Sequence, residues 1–134
     1  MQTGIVTDYS LDIARSFTAN LAQAAATYDL CTATGGDVLI DMYNISIYVA
    51  TAGATFTSVS IQTNQTNNTV ILTSSEGAVA NLIAQKNLVR AVTVGSLLLK
   101  SGQKLQYTIV GATGTGSLNV AIAFMPLTRG AILA

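Results

Sequence analysis

Short runs of β-branched and apolar residues recur along this chain at intervals of about ten residues, and turn-forming residues separate them. From about residue 26 onward, apolar and polar positions alternate, which is the period of a strand rather than of a helix. No repeat of fixed length and no alternation of strands with helices is visible. The pattern therefore predicts an all-β fold, a single antiparallel β-sandwich of jelly-roll type with an N-terminal arm.

The expected strands are bounded by turns rich in glycine, serine and asparagine. They are placed at residues 27–34, 38–50, 55–63, 69–73, 88–94, 97–99, 104–110 and 118–124. Turns are expected at residues 51–54 and in the glycine-rich segment 111–116. The apolar face of the second strand changes near Asn44, which indicates a β-bulge or a strand that passes from one sheet to another. Residues 74–86 fit either a short helix or a turn followed by a short strand.

The two ends of the chain differ from its centre. We expect an N-terminal arm at residues 1–16, a β-sandwich domain at 17–126 and a C-terminal tail at 127–134. Two conformations are expected for this region: a short helix, because Leu11, Ala14, Phe17 and Leu21 have roughly helical spacing, or an extended arm that runs into a first strand at about residues 17–21. A sandwich that begins near residue 26 does not need the arm's apolar side chains for its core, so we expect them to contact a partner. The candidate contact residues are Ile5, Val6, Tyr9, Leu11 and Ile13.

Residues that could carry chemistry do not form a catalytic or metal-binding pattern. The 134 residues include no histidine and one cysteine, Cys31. Without histidine the chain lacks the usual general base and the commonest ligand of transition metals. Cys31 is expected to be a small core residue. The segment 111–116 lacks the Lys-Ser/Thr pair and the helix of a phosphate-binding loop. We therefore expect no enzyme activity, no cofactor and no metal.

The few carboxylates offer one weaker catalytic alternative. Two carboxyl groups that flank a sugar are sufficient for glycoside hydrolysis, and Asp37, Asp41 and Glu76 are the candidates. Nothing in their spacing favours such a pair, so we expect them at turns and strand edges.

Charged residues are unusually scarce. They make up 9 % of the chain, the formal net charge is zero, and segments 42–75 and 105–128 contain none. Uncharged surfaces suit contact with other subunits, because burying a charge is costly. We therefore expect a homo-oligomer, with a trimer as the expected form. Neutrality argues against a nucleic-acid partner, and we expect no membrane segment because no apolar run reaches about 18 residues. No signal peptide is recognised.

Several segments resemble small virion proteins of tailed bacteriophages. They are residues 32–40 (TATGGDVLI), 45–49 (ISIYV), 53–63 (GATFTSVSIQT), 76–82 (EGAVANL) and 114–120 (GTGSLNV). The resemblance spans about residues 25–126 and carries over no site residue. It implies a capsid decoration, or cement, protein that is made in the host cytoplasm, lies on the capsid surface and bridges capsomers of the major capsid protein. The alternative is a carbohydrate- or receptor-binding β-sandwich module of a phage tail or fibre.

Overall fold

The computed structural model describes residues 13–134, and their strands form one antiparallel eight-stranded sheet. The strands are β1 (Ile13–Asn20), β2 (Thr27–Thr34), β3 (Val38–Thr63), β4 (Val70–Leu72), β5 (Lys86–Asn87), β6 (Ser96–Leu99), β7 (Lys104–Pro126) and β8 (Ile132–Leu133). A single 3-10 turn at Val79–Asn81 is the one helical element of the described residues, and none of their helices could cross a membrane. The all-β prediction is confirmed.

Two long strands organise the whole sheet. β3 and β7 pair from Val38 opposite Pro126 to Thr63 opposite Leu105, and several register shifts lie between residues 49 and 58 of β3. On one side of these shifts, β6, β3 (38–50), β7 (117–126) and β1 lie side by side. We call this the first half-sheet; β5 also pairs with its part of β3. On the other side, β4, β3 (56–63), β7 (104–111), β2 and β8 form the second half-sheet.

Both half-sheets bury one face in a common hydrophobic core. Ile40 and Phe124 of the first half-sheet and Ile61 and Leu105 of the second are fully buried in the same cluster. Each such side chain contributes about 1.5–3 kcal/mol by leaving water, so the core holds the two half-sheets together. The result is a sandwich-like fold in which both layers belong to one sheet.

The change of apolar face near Asn44 is confirmed. Buried positions are even-numbered from Val38 to Met42 and odd-numbered from Ile45 to Val49, and the register with β7 shifts between Ile40 and Ile45. The Asp41 carboxylate closes the bulge, because it accepts the Tyr43 N–H at 3.0 Å and the Asn44 side-chain amide at 2.7 Å. The bulge lets one continuous strand keep an apolar face toward the core.

The turns expected at residues 51–54 and 111–116 are wrong. Both segments continue as strand, and they lie opposite each other where the paired strands shift register. A Cβ atom on Gly114 would lie 1.8 Å from the Ala54 carbonyl oxygen. Glycine is therefore required here because the two backbones approach closely, rather than because the chain reverses.

The strand expected at residues 88–94 is also wrong. This segment follows the edge of β3, with the Gln85 N–H bonded to the Val49 carbonyl and the Leu88 N–H to the Ile47 carbonyl, each at 2.8 Å. Regular pairing ends at Asn87. Farther along, the Ala91 N–H donates to the Glu76 carboxylate instead of to β3. The preceding residues 74–86 form turns, the 3-10 turn and the beginning of β5.

The ends of the described chain belong to the sheet. Residues 13–16, which the sequence places in the arm, form the first half of β1 and pair with β7. Within the expected C-terminal tail, β8 pairs with Ala33 and Thr34 of β2, and Ala131 and Leu133 are buried. The tail therefore completes the core of its own chain.

Candidate functional site

Two of the described carboxylates stabilise strand and loop contacts. Asp29 accepts hydrogen bonds from the Gln106 amide at 2.9 Å and from the Lys104 ammonium at 2.6 Å, and these bonds hold the pKa of Asp29 below its ordinary value. Asp37 accepts the Ser101 N–H at 2.9 Å. Asp29, Asp37 and Asp41 therefore bond to three different parts of the fold. No hydrogen bond joins any two of these three carboxylates into a catalytic pair.

Glu76 fastens the loop that follows β4 to the segment along the edge of β3. Its carboxylate accepts the Thr73 N–H at 2.9 Å and the Ala91 N–H at 2.6 Å. Partial burial works to raise the pKa of Glu76, but these donors outweigh it and hold the pKa below the ordinary value. Nearby, the Arg90 guanidinium donates to the Met42 carbonyl, and burial lowers the pKa of Arg90. Glu76 is therefore a local structural support, whereas the buried Arg90 Nη1 has no hydrogen-bond partner among the described residues.

Cys31 lies in the core, as its sequence context predicts. Its side chain is buried, and burial raises the pKa of the thiol to about 12. The group therefore stays a neutral thiol near pH 7, which is not the nucleophilic form. Within residues 13–134 no group of three or more His, Cys, Asp or Glu residues could hold a metal ion.

The outer face of the second half-sheet carries a polar groove of about 690 Å³. Twelve residues line this groove, which we call the polar groove, and none of them is charged. Among them, Ser60 and Gln62 lie on β3, and Gln106 and Thr108 lie on β7. Cross-strand pairing places Ser60 opposite Thr108 and Gln62 opposite Gln106. The sequence analysis did not find this groove, because it depends on the pairing of β3 with a strand that lies more than 40 residues away.

Three apolar side chains lie side by side on the outer face of the first half-sheet. Leu39 lies directly opposite Leu98 on one side and Met125 on the other, and we call these three residues the apolar row. Leu98 is 41 % exposed, and Leu39 and Met125 are half-buried. The strands that form this half-sheet are residues 13–20, 38–50, 96–99 and 117–126, and Asp41 is the one charged residue among them on the outer face. Arg15 does not lie on this face, because it is paired opposite Ile122, which points inward.

A shallow hollow adjoins the apolar row. It encloses about 190 Å³ between Leu39, Met125 and Gly95. The Tyr43 ring packs beside Gly95, where a Cβ atom would lie 3.0 Å from the ring, and yet Tyr43 is 71 % exposed. An exposed aromatic ring beside an apolar strand face is typical of protein contact surfaces.

Most of the candidate contact residues named from the sequence lie outside the described residues. These are Ile5, Val6, Tyr9 and Leu11. Ile13 is the first residue of β1, lies opposite Phe124 and is 43 % exposed. The structure therefore places one of the five at the end of an edge strand, and it shows the apolar row, which the sequence pattern did not predict.

Comparisons with protein-family models, with curated proteins and with solved structures found no match to this chain.

Proposed function

We propose that the chain is a structural virion protein, a capsid decoration protein that acts as a homo-oligomer on the surface of a phage head. In this role it stabilises the shell by bridging neighbouring capsomers of the major capsid protein. Such a protein requires a rigid fold and contact surfaces, and it requires neither a cofactor nor a catalytic group.

The apolar row is the observation that carries this proposal. Leu39, Leu98 and Met125 form a continuous strip across three paired strands, on a face that no other layer of the described chain covers. Soluble monomers rarely expose such an apolar strip with so few charged residues around it. Contact with a partner would remove the strip from water. The uncharged segments 42–75 and 105–128 support the same reasoning, since their burial in an assembly leaves no unpaired charge.

The virion assignment rests on the sequence resemblance of residues 25–126 to small phage virion proteins. The sandwich-like all-β fold is compatible with that resemblance. The pairing of the first and last strands of the described residues adds mechanical support. β1 and β8 are both paired into the sheet, so the domain forms a single unit that can transmit force between the neighbours it contacts.

Light scattering during gel filtration tests the oligomer. We expect the protein to run at a multiple of its 13.8 kDa chain mass, with a trimer as the expected form. Leu98→Asp places a charge in the apolar row at an exposed edge-strand position and should dissociate the assembly. Val110→Asp is the matched control, because Val110 is a similarly exposed strand residue of the second half-sheet, at 49 %. A wild-type monomer would refute the assembly, and equal effects of the two variants would refute the apolar row as its interface.

Co-sedimentation with shells tests the virion role. The shells are assembled from the major capsid protein encoded closest to this gene, and the wild type and Val110→Asp should both sediment with them. Leu98→Asp should remain in the supernatant. Failure of the wild type to bind, together with a gene position among fibre genes, would instead favour the carbohydrate- or receptor-binding module.

A further inference from the structure

We propose that the polar groove is a binding site for a neutral saccharide. This inference goes beyond the assembly role and does not depend on it, because the polar groove lies on the second half-sheet and the apolar row on the first. It rests on three features of the polar groove: an ordered floor, a fixed wall and an uncharged lining.

The floor is ordered by hydrogen bonds between side chains on neighbouring strands. The Gln62 amide donates to the Thr108 hydroxyl at 3.0 Å, and that hydroxyl also shares a hydrogen bond of 2.9 Å with Thr27. Ser60 donates to the Gln62 side-chain carbonyl at 3.2 Å. Gln106 is held separately, since its amide nitrogen donates to Asp29. This bond leaves the Gln106 side-chain carbonyl free to accept from a ligand, and the side chains need little further ordering when a ligand binds.

One wall of the polar groove is the loop at residues 64–68, and it is fixed at both ends. The buried Thr63 hydroxyl accepts the Thr69 N–H at 2.9 Å. The Asn64 side chain accepts the Lys104 N–H at 2.8 Å, and the Asn64 N–H donates to the Lys104 carbonyl at 3.0 Å. The polar groove is therefore formed before any ligand arrives, as small-ligand sites usually are.

The lining selects for a neutral ligand with many hydroxyl groups. No lining residue is charged, and the neighbouring Asp29 and Lys104 pair with each other at 2.6 Å, so the polar groove offers no unpaired charge to an anion or a metal. Serine, threonine, asparagine and glutamine side chains both donate and accept hydrogen bonds, which matches the hydroxyl groups of a sugar. Val70 is 47 % exposed and supplies an apolar contact for the C–H face of a sugar ring. The volume lies within the range of about 300–1,000 Å³ that is typical of small-ligand pockets.

Saturation-transfer NMR with the full-length protein tests the proposal. The probes are maltohexaose, cellohexaose and chitotetraose, each at about 10 mM so that a site with a Kd near 1 mM is saturated. A heparin tetrasaccharide serves as the anionic probe. We expect a signal from at least one neutral probe and none from heparin. No signal from any neutral probe, or a signal from heparin alone, would overturn the proposal.

Three variants place the binding in the polar groove. Gln62→Ala combined with Gln106→Ala removes the central amides, and Thr108→Val removes one hydroxyl with almost no change of shape. Each should weaken the Kd of the bound sugar by about tenfold, the equivalent of one or two lost hydrogen bonds. Asn119→Ala is the control, because Asn119 is an exposed residue on the half of β7 that belongs to the first half-sheet. We expect less than about a twofold change there.

The controls for folding use the same samples. Thr108→Val loses the hydroxyl that bonds to Gln62 and Thr27, so its unfolding temperature should fall by a few degrees and stay well above the assay temperature. A loss of binding in this variant then does not come from unfolding. Sugar binding that survives in Thr108→Val and in the double variant would overturn the proposal, since the polar groove would then not be the site. Equal weakening by Asn119→Ala would overturn it for the same reason.

Discussion

Substitution of Gly114 by alanine tests the central feature of the fold, which is the close approach of β3 and β7 where their register shifts. A Cβ atom on Gly114 would lie 1.8 Å from the Ala54 carbonyl oxygen and 3.0 Å from the Phe56 nitrogen. Real Cβ atoms essentially never approach another atom within 3.0 Å, so the two strands must move apart by more than 1 Å. Phe56 is fully buried at this point, and the movement therefore also disturbs the core.

The expected cost can be worked out from these contacts. Forcing additional atoms into a packed region costs about 1–3 kcal/mol. The separation of the strands also weakens one or two ladder hydrogen bonds, at about 1 kcal/mol each. We therefore expect Gly114→Ala to lower the free energy of unfolding by about 2–5 kcal/mol. In a domain of this length, that loss corresponds to a fall in Tm of about 8–20 °C.

Urea unfolding followed by circular dichroism measures this difference against a matched control. Gly95→Ala is suitable, because Gly95 has no left-handed backbone angle and its added Cβ would meet only the exposed Tyr43 ring. We expect the Gly95→Ala variant to lie within about 1 kcal/mol of the wild type. If Gly114→Ala is as mild as Gly95→Ala, residues 111–116 form an open turn and the continuous pairing of β3 with β7 is refuted.

Three further predictions concern single side chains. Leu133 is fully buried, so Leu133→Ala should lower the free energy of unfolding by about 2–4 kcal/mol. Ile132 is exposed, so Ile132→Ala should lower it by less than about 1 kcal/mol. Equally small effects of the two variants in urea titrations would show that β8 does not pack against the core. Glu76 has a lowered pKa, so its stabilising contribution is present above its unfolded value of 4.5 and is lost as the pH falls through the lower folded value. Glu76→Gln should therefore cost about 1–2 kcal/mol at pH 7 and progressively less as the pH falls below 4.5, and a loss that does not change with pH would contradict the role of the charge. Cys31, with its pKa of about 12, should not react with an aromatic disulfide reagent at about pH 8 until the protein unfolds, and rapid labelling of the native protein would show that the thiol is accessible.

Local patterns in the sequence were sufficient to predict the strands that alternate clearly between two faces. The strand expected at residues 27–34 coincides with β2, and the change of face near Asn44 coincides with the bulge in β3. Both features follow from the two-residue period of a strand against a core, and this period can be read from neighbouring residues alone.

The errors arise where distant residues decide the local conformation. Glycine-rich segments usually indicate turns, but residues 111–116 run as strand because the Ala54 backbone lies directly against Gly114. The apolar pattern at residues 88–94 predicts a strand, but Glu76 binds the Ala91 N–H that a β-ladder would use. Both contacts join residues that are distant in sequence, so neither is visible until the strand pairing of β3 is known.

The apolar row and the polar groove could not be predicted from the sequence for the same reason, since each joins residues from strands that are distant in the chain. The apolar row joins residues of β6, β3 and β7, and the polar groove joins residues of β3, β7 and β2 from the other half-sheet. The inner faces of both half-sheets are used by one core, so the two outer faces point away from each other. If the apolar row is buried against a sister subunit or a shell, the polar groove stays turned toward solvent. The proposed assembly and the proposed saccharide site are therefore compatible in one molecule, because burying the first surface leaves the second accessible.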